Sequence, residues 1–210
     1  DDELLLINGT LIMDEKTRQL IAKKLSKNVI VKQSGRIALA HVSEGLARKH
    51  CDDVCKPSTS AALMKLMKEC ECLEAENLPL LSYPWDLVNK NAELIKRDYS
   101  TMQKRENEGT IDGKATIYGH EENVIAGKGS FVEAHVTLDA RDGPIFIGNE
   151  TMVHGGSRIT GPAFVGDQTI IATGLIREGC SVGPVCRVGG ELEGTIIQGY
   201  TNKYHTGFIG

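Results

Sequence analysis

The sequence predicts a mainly β protein: a parallel β-helix of hexapeptide repeats over residues 111–210, preceded by a small α/β region (residues 1–57) and a helical connector (residues 58–110). Three observations point there. Aliphatic residues recur six apart at Ile147, Val153, Ile159, Val165 and Ile171 and resume at Ile176, Val182 and Val188. Glycine follows that residue at Gly148, Gly166, Gly183 and Gly189. Between Ser58 and about Met102, apolar residues fall instead at helical spacing.

The first region opens with Leu4-Leu5-Leu6-Ile7-Asn8-Gly9, a short apolar run ending in a turn pair, which predicts a buried strand. Asp14 can cap a helix running to about Lys24, with Leu20, Ile21 and Leu25 on its apolar side. Asn28–Lys32 and Arg36–His41 flank Gln33-Ser34-Gly35 and predict a hairpin. In the connector, Leu63, Leu66 and Met67 make one helical series and Trp85, Leu87, Val88, Leu94 and Ile95 a second. Leu78-Pro79 and Tyr83-Pro84 separate them, because a residue before proline is steered out of the helical region.

A six-residue beat fits neither a helix nor an isolated strand, but it fits short strands that each deliver one aliphatic residue inward and then turn a corner. Small residues at the corners permit the necessary backbone angles. The single five-residue step from Ile171 to Ile176 predicts a tightened corner. Upstream, the beat continues through either Ile125 and Phe131 or Val132 and Leu138, and Asp139–Pro144 predicts a loop thrown out at a corner.

The chain has 210 residues, 40% hydrophobic, and a net charge of −4, which argues against a nucleic-acid surface held by phosphate contacts. No apolar run is long enough for a bilayer and no apolar leader opens the chain, which predicts a cytoplasmic protein without a membrane partner. Cys51, Cys55, Cys70, Cys72, Cys180 and Cys186 match no common zinc spacing and read as reduced, structural thiols.

Together, Leu4–Gly9, the Trp85–Asp98 segment, Leu138–Pro144, Gly161-Pro162 and Gly199–Gly210 resemble the variant bacterial sugar-phosphate nucleotidyltransferase family with a left-handed β-helix. That family is similar to the bifunctional N-acetylglucosamine-1-phosphate uridyltransferase and glucosamine-1-phosphate acetyltransferase. The resemblance implies the left hand, against the usual rule for parallel crossovers, and a homotrimer. It also implies that the Gly-rich triphosphate loop is absent here, that residues 1–57 are the trailing part of a nucleotidyltransferase domain, and that Mg2+ serves only the missing part. Thr10 stands where related enzymes carry a metal-binding aspartate, so Asp14 would have to substitute and uridyltransferase activity is not expected. The missing methionine before Asp1, and a final Phe208-Ile209-Gly210 that is no solenoid cap, lead to the expectation of a longer natural chain.

For the β-helix, the resemblance implies acetyl transfer from acetyl-CoA to an amino-sugar phosphate. This needs a base and cations for the phosphate. The related enzymes' histidine would lie just after Gly210. Within the chain His205 is the candidate base or phosphate contact, with Tyr200 and Asn202 supplying polar reach. Arg177 resembles the related enzymes' phosphate-binding arginine and Lys203 their lysine, with Arg187 a secondary choice. His135 and His154 read as solvated corner residues, and His120, His135 and His154 are not spaced for a zinc site. The alternative is a noncatalytic β-helix that serves oligomerisation or regulation of a nucleotidyltransferase.

Overall fold

The computed structural model describes residues 3–22, 26–54, 59–101 and 107–210. The chain forms two compact units, Asp1–Tyr83 and Pro84–Gly210. The first contains β1 (Glu3–Ile7), α1 (Glu15–Ala22), β2 (Val29–Gln33), β3 (Arg36–Ser43), α2 (Glu44–Val54), α3 (Thr59–Glu69) and β4 (Glu71–Glu74). Its sheet runs β1-β3-β2-β4, antiparallel except for the β2–β4 pair.

The hairpin forms as expected. Ser34 and Gly35 both have positive φ, 51° and 78°, the two-residue turn whose twist matches its strands. Val29, Ile30 and Val31 are all buried because both sheet faces are covered. Val29 and Val31 pack with Leu11 and Leu78, and Ile30 with Ala40, Val42 and Leu66. Asp14 caps α1, its Oδ1 accepting the Thr17 N–H at 2.7 Å.

Three expectations for this region change. β1 is not buried: it is an edge strand paired only with β3, and Leu4, Leu5 and Ile7 are 42%, 36% and 41% exposed. The first of the two predicted helices ends at Glu69, before the proline break. β4 follows it, because Glu71-Cys72-Leu73-Glu74 has no helical spacing and extends alongside β2. α2 was not anticipated, although Leu46, Ala47 and His50 already lie at helical spacing, and Leu46 and Ala47 pack on the core beside Leu66. Lys24, Leu25, Cys55, Ser58 and Met102 lie outside the described residues, as do the side chains of Cys51 and Leu63.

The second unit holds α4 (Pro84–Thr101) and a left-handed parallel β-helix of about six turns over residues 110–209. α3 therefore falls in the first unit and α4 in the second. The first coil comprises β5 (Thr110–Ile111), β6 (Thr116–Tyr118) and β7 (Val124–Ala126), and the second β8 (Phe131–Val132), β9 (Thr137–Asp139) and β10 (Ile145–Ile147). The third comprises β11 (Met152–Val153), β12 (Arg158–Thr160) and β13 (Ala163–Val165). β14 (Ile170–Ile176) and β15 (Cys180–Val182) form the fourth, β16 (Arg187–Leu192) and β17 (Ile196–Ile197) the fifth, and β18 (Asn202–Lys203) and β19 (Phe208–Ile209) the last.

Each coil sends residues into three stacked columns. Val132, Val153, Ile171 and Val188 make one, Leu138, Ile159, Ile176 and Leu192 the second, and Ile147, Val165, Val182 and Ile197 the third. Every member is buried, and Cys180 and Cys186 join them as free thiols. The upstream phase is thus Val132 and Leu138, while Ile125 and Phe131 face outward. Successive inward residues in the first column lie 21, 21, 18, 17 and 15 positions apart, from Ile111 through Val132, Val153, Ile171 and Val188 to Lys203. Eighteen is three hexads. The coil of 17 holds the tightened corner, where Thr173 turns at φ 49°. The coils of 21 carry extra residues at corners, among them the loop at Arg141–Gly143.

Glycine is required where coils approach closely. A Cβ on Gly148 would lie 2.5 Å from the Asp167 nitrogen and 2.7 Å from the Gly166 carbonyl carbon. α4 covers part of the outer face of β7-β10-β13-β15-β17: Asn91 donates to Gly179 O at 2.8 Å and accepts from Ser181 Oγ at 3.0 Å, and the Tyr99 ring packs edge-on against Phe146. Of the predicted apolar series on this helix Ile95 is buried, but Trp85 and Leu87 are 58% and 44% exposed, and the buried position outside the series is Asn91. Asn91 replaces an aliphatic residue because it satisfies Gly179 O and Ser181 Oγ at the contact.

Candidate functional site

The residues singled out near the end of the chain sit on the last three coils. Arg177 follows β14, and its guanidinium pairs with Glu191 of β16 and, at 3.6 Å, with Glu193. Glu191 is the main reason why the Arg177 guanidinium is held above its usual pKa. Lys203 takes the register position opposite Val188, so it stands where the column would otherwise place another aliphatic residue. Its ammonium donates to Gly207 O at 2.6 Å, Gly189 O at 2.5 Å and His205 O at 3.3 Å. The ammonium thus ties the backbone of the fifth coil to that of the sixth, a use of lysine that the hexad pattern did not suggest. Tyr200 is 81% exposed in a left-handed turn with φ 63°, and Asn202 is exposed opposite Arg187. His205 is exposed, and its ring meets the Tyr204 ring edge-on at 6.2 Å. Arg187 donates to Gln168 O and Cys186 O.

A better organised histidine lies three coils before His205. Val132 and Val153 are register partners, so the residues following them, Glu133 and His154, stand one above the other on an outward corner. Glu133 Oε1 is 3.0 Å from His154 Nδ1, and Oε2 accepts the Gly155 N–H at 2.8 Å. The Gly155 N–H and then the imidazole keep the Glu133 carboxyl below the usual carboxylate range. An ionised carboxylate on Nδ1 selects the tautomer protonated there and leaves Nε2 as an acceptor on a side chain that is 39% exposed. The sequence signal for this pair was available: both residues follow an inward valine one coil apart. His135, by contrast, is exposed on a left-handed turn with φ 64°.

Nucleotidyl transfer uses a metal ion, and the turn after β1 holds Thr10 where related enzymes are expected to carry a ligand. Thr10 Oγ1 donates to Asn8 Oδ1 at 2.9 Å and accepts from Arg36 Nη2 at 2.9 Å, while the same Nη2 reaches Leu81 O at 2.6 Å. A guanidinium on the hydroxyl opposes a cation there, and Asp14 Oδ1 is engaged as a helix cap. Among the described residues no group of three or more His, Cys, Asp or Glu side chains could hold a metal ion. These residues do not fit Mg2+. Nor, among the described residues, is any helix long and apolar enough to cross a membrane.

A family model described as sugar nucleotidyl transferase matches residues 1–107, half of the chain. No curated protein matches.

Proposed function

The chain belongs to the sugar nucleotidyl transferase family, and from that premise we propose that it serves sugar-nucleotide biosynthesis, its β-helix transferring an acetyl group from acetyl-CoA to an amino-sugar phosphate. The reading draws on the resemblance to the bifunctional uridyltransferase and acetyltransferase, and one observation carries it: Glu133 orients His154 on an outward corner of the solenoid. The amine nitrogen attacks the thioester carbonyl, forming the C–N bond as the C–S bond breaks. The amine proton passes to His154 Nε2 and then to the departing thiolate of coenzyme A. In this reading His154 displaces His205 as the base, Arg177, Tyr200, Asn202 and Lys203 remain as contacts to the sugar phosphate, and the protein is a cytoplasmic homotrimer.

A second reading keeps the β-helix noncatalytic, for oligomerisation or regulation. It is favoured by Arg177 and Lys203, whose cationic groups are already engaged by Glu191 and by backbone carbonyls. Thiol release from acetyl-CoA in the presence of glucosamine 1-phosphate separates the two. Acetyl transfer requires that His154→Asn lower the rate about 100-fold or more while His205→Asn changes it much less. An undiminished rate in His154→Asn removes His154 from the mechanism, and no thiol release from the unsubstituted protein favours the noncatalytic reading.

A further inference from the structure

The loop at Arg141–Gly143 does more than lengthen a coil. Asp139 on β9 is an outward residue of its strand, yet its side chain is only 5% exposed, because two arginines close over it. Arg141 folds back with Nε on Oδ1 at 2.8 Å and Nη2 on Oδ2 at 2.6 Å. Arg158, on the next coil, places Nη2 on the same Oδ2 at 2.6 Å. The Arg141 guanidinium holds the Asp139 carboxyl below the usual range, so it is ionised. One carboxylate thus orients two guanidinium groups, and both remain open to solvent, with side chains 61% and 42% exposed. The guanidinium carbon of Arg141 also lies over the Tyr118 ring, one coil below Asp139, at 5.1 Å from its centroid. The exposed Asp142 carboxylate also acts on Arg141 and is the competing anion at the site.

Two cations fixed on one shared counter-ion leave a positive charge and several N–H donors directed outward in a preset geometry, the arrangement that recognises a phosphoryl group. We propose that Arg141 and Arg158 form a binding site for the phosphoryl group of a small phosphorylated molecule, with Asp139 as the residue that positions them. The site lies on a different corner from His154, on the strand row that carries Arg177 two coils further on, and it stands whether or not the protein transfers acetyl groups.

The test is direct binding without turnover, by calorimetric titration of the whole chain with inorganic phosphate, glucosamine 1-phosphate and coenzyme A at low and high salt. The expected result is saturable, salt-sensitive binding of at least one probe, weakened about tenfold or more in Arg141→Gln and in Arg158→Gln. Equal affinity for all three probes assigns the site to phosphate itself, and a preference for the sugar phosphate or for coenzyme A names the rest of the ligand. Because removing an arginine uncovers Asp139, Asp142→Asn is the companion variant. It alters only an exposed side chain and should tighten binding several-fold. No saturable binding of any probe, or affinities unchanged in all three variants, overturns the proposal.

Discussion

Ile170 and Ile171 are adjacent, identical in type and in the same strand, yet the register places them on opposite faces. Ile171 is fully buried between Val153 and Val188, whereas Ile170 lies between Met152 and Arg187 on the outside. Replacing each with alanine therefore removes the same three carbons and the same strand preference, so the difference between the two variants isolates burial. At about 0.8 kcal/mol per buried CH2, the transfer loss at Ile171 is about 2.4 kcal/mol, and the cavity left in a column whose backbone is fixed by coil pairing brings the cost to about 3–5 kcal/mol. Ile170→Ala should cost less than about 1.5 kcal/mol, since much of the side chain is already hydrated. Guanidinium unfolding followed by far-ultraviolet circular dichroism reads both values, provided that the slope with denaturant is unchanged. Equal destabilisation, or a larger effect at Ile170, would refute the inward assignment and with it the three-column core.

Three more outcomes follow from contacts already described. Gly148→Ala places a Cβ against the Asp167 nitrogen and the Gly166 carbonyl carbon of the next coil, so it should destabilise by about 1–3 kcal/mol or more, measurable in the same unfolding experiment, whereas Gly45→Ala on α2, where a Cβ meets nothing, should not. Asn91→Ala removes the partner of Gly179 O and Ser181 Oγ and should cost about 1–3 kcal/mol, with faster amide exchange along α4 as the local signature. The Glu133 carboxyl has a lowered folded pKa, so its contribution is fully present above the ordinary carboxylate range and is lost as pH falls through the depressed value. Thermal melts across that acid range should fall less steeply for Glu133→Gln than for the unsubstituted chain, and an identical pH profile would count against the Glu133–His154 contact.

The β-helix was legible because its rule is local: one inward residue per short strand and a small residue at the corner, both visible without knowing what pairs with what. β1 was misread because an apolar run records only composition, while burial depends on whether anything covers the strand, and Leu4, Leu5 and Ile7 lie on an edge. Trp85 and Leu87 were misassigned for a related reason. Helical spacing identifies a face but not the one chosen, and α4 turns Asn91 inward because Gly179 O and Ser181 Oγ offer it partners there. Lys203 entered as a phosphate contact through the family resemblance; its register with Val188, which brings its ammonium to three backbone carbonyls, could not be read from the hexads.

What the six-residue beat could not supply was the length of each coil, and that length decides which side chains meet. Glu133 and His154 are 21 residues apart, the length of the coil between Val132 and Val153. Asn149 and Asp167 are 18 apart, matching the step from Val153 to Ile171, and Thr169 and Cys186 are 17 apart, matching the next. Asp139 and Arg158 depart from their coil length by two residues, and a long guanidinium side chain spans that offset. In a solenoid, then, a corner insertion changes the sequence separation of the residues that meet across coils, while the strands on either side of it keep their register. The three-residue loop at Arg141–Gly143 brings a second arginine onto Asp139, and the shorter coils nearer Lys203 set Arg177 against Glu191, 14 residues away. A search for function in such a chain should therefore compare polar residues one local coil length apart, which is the relation that joins Glu133 to His154.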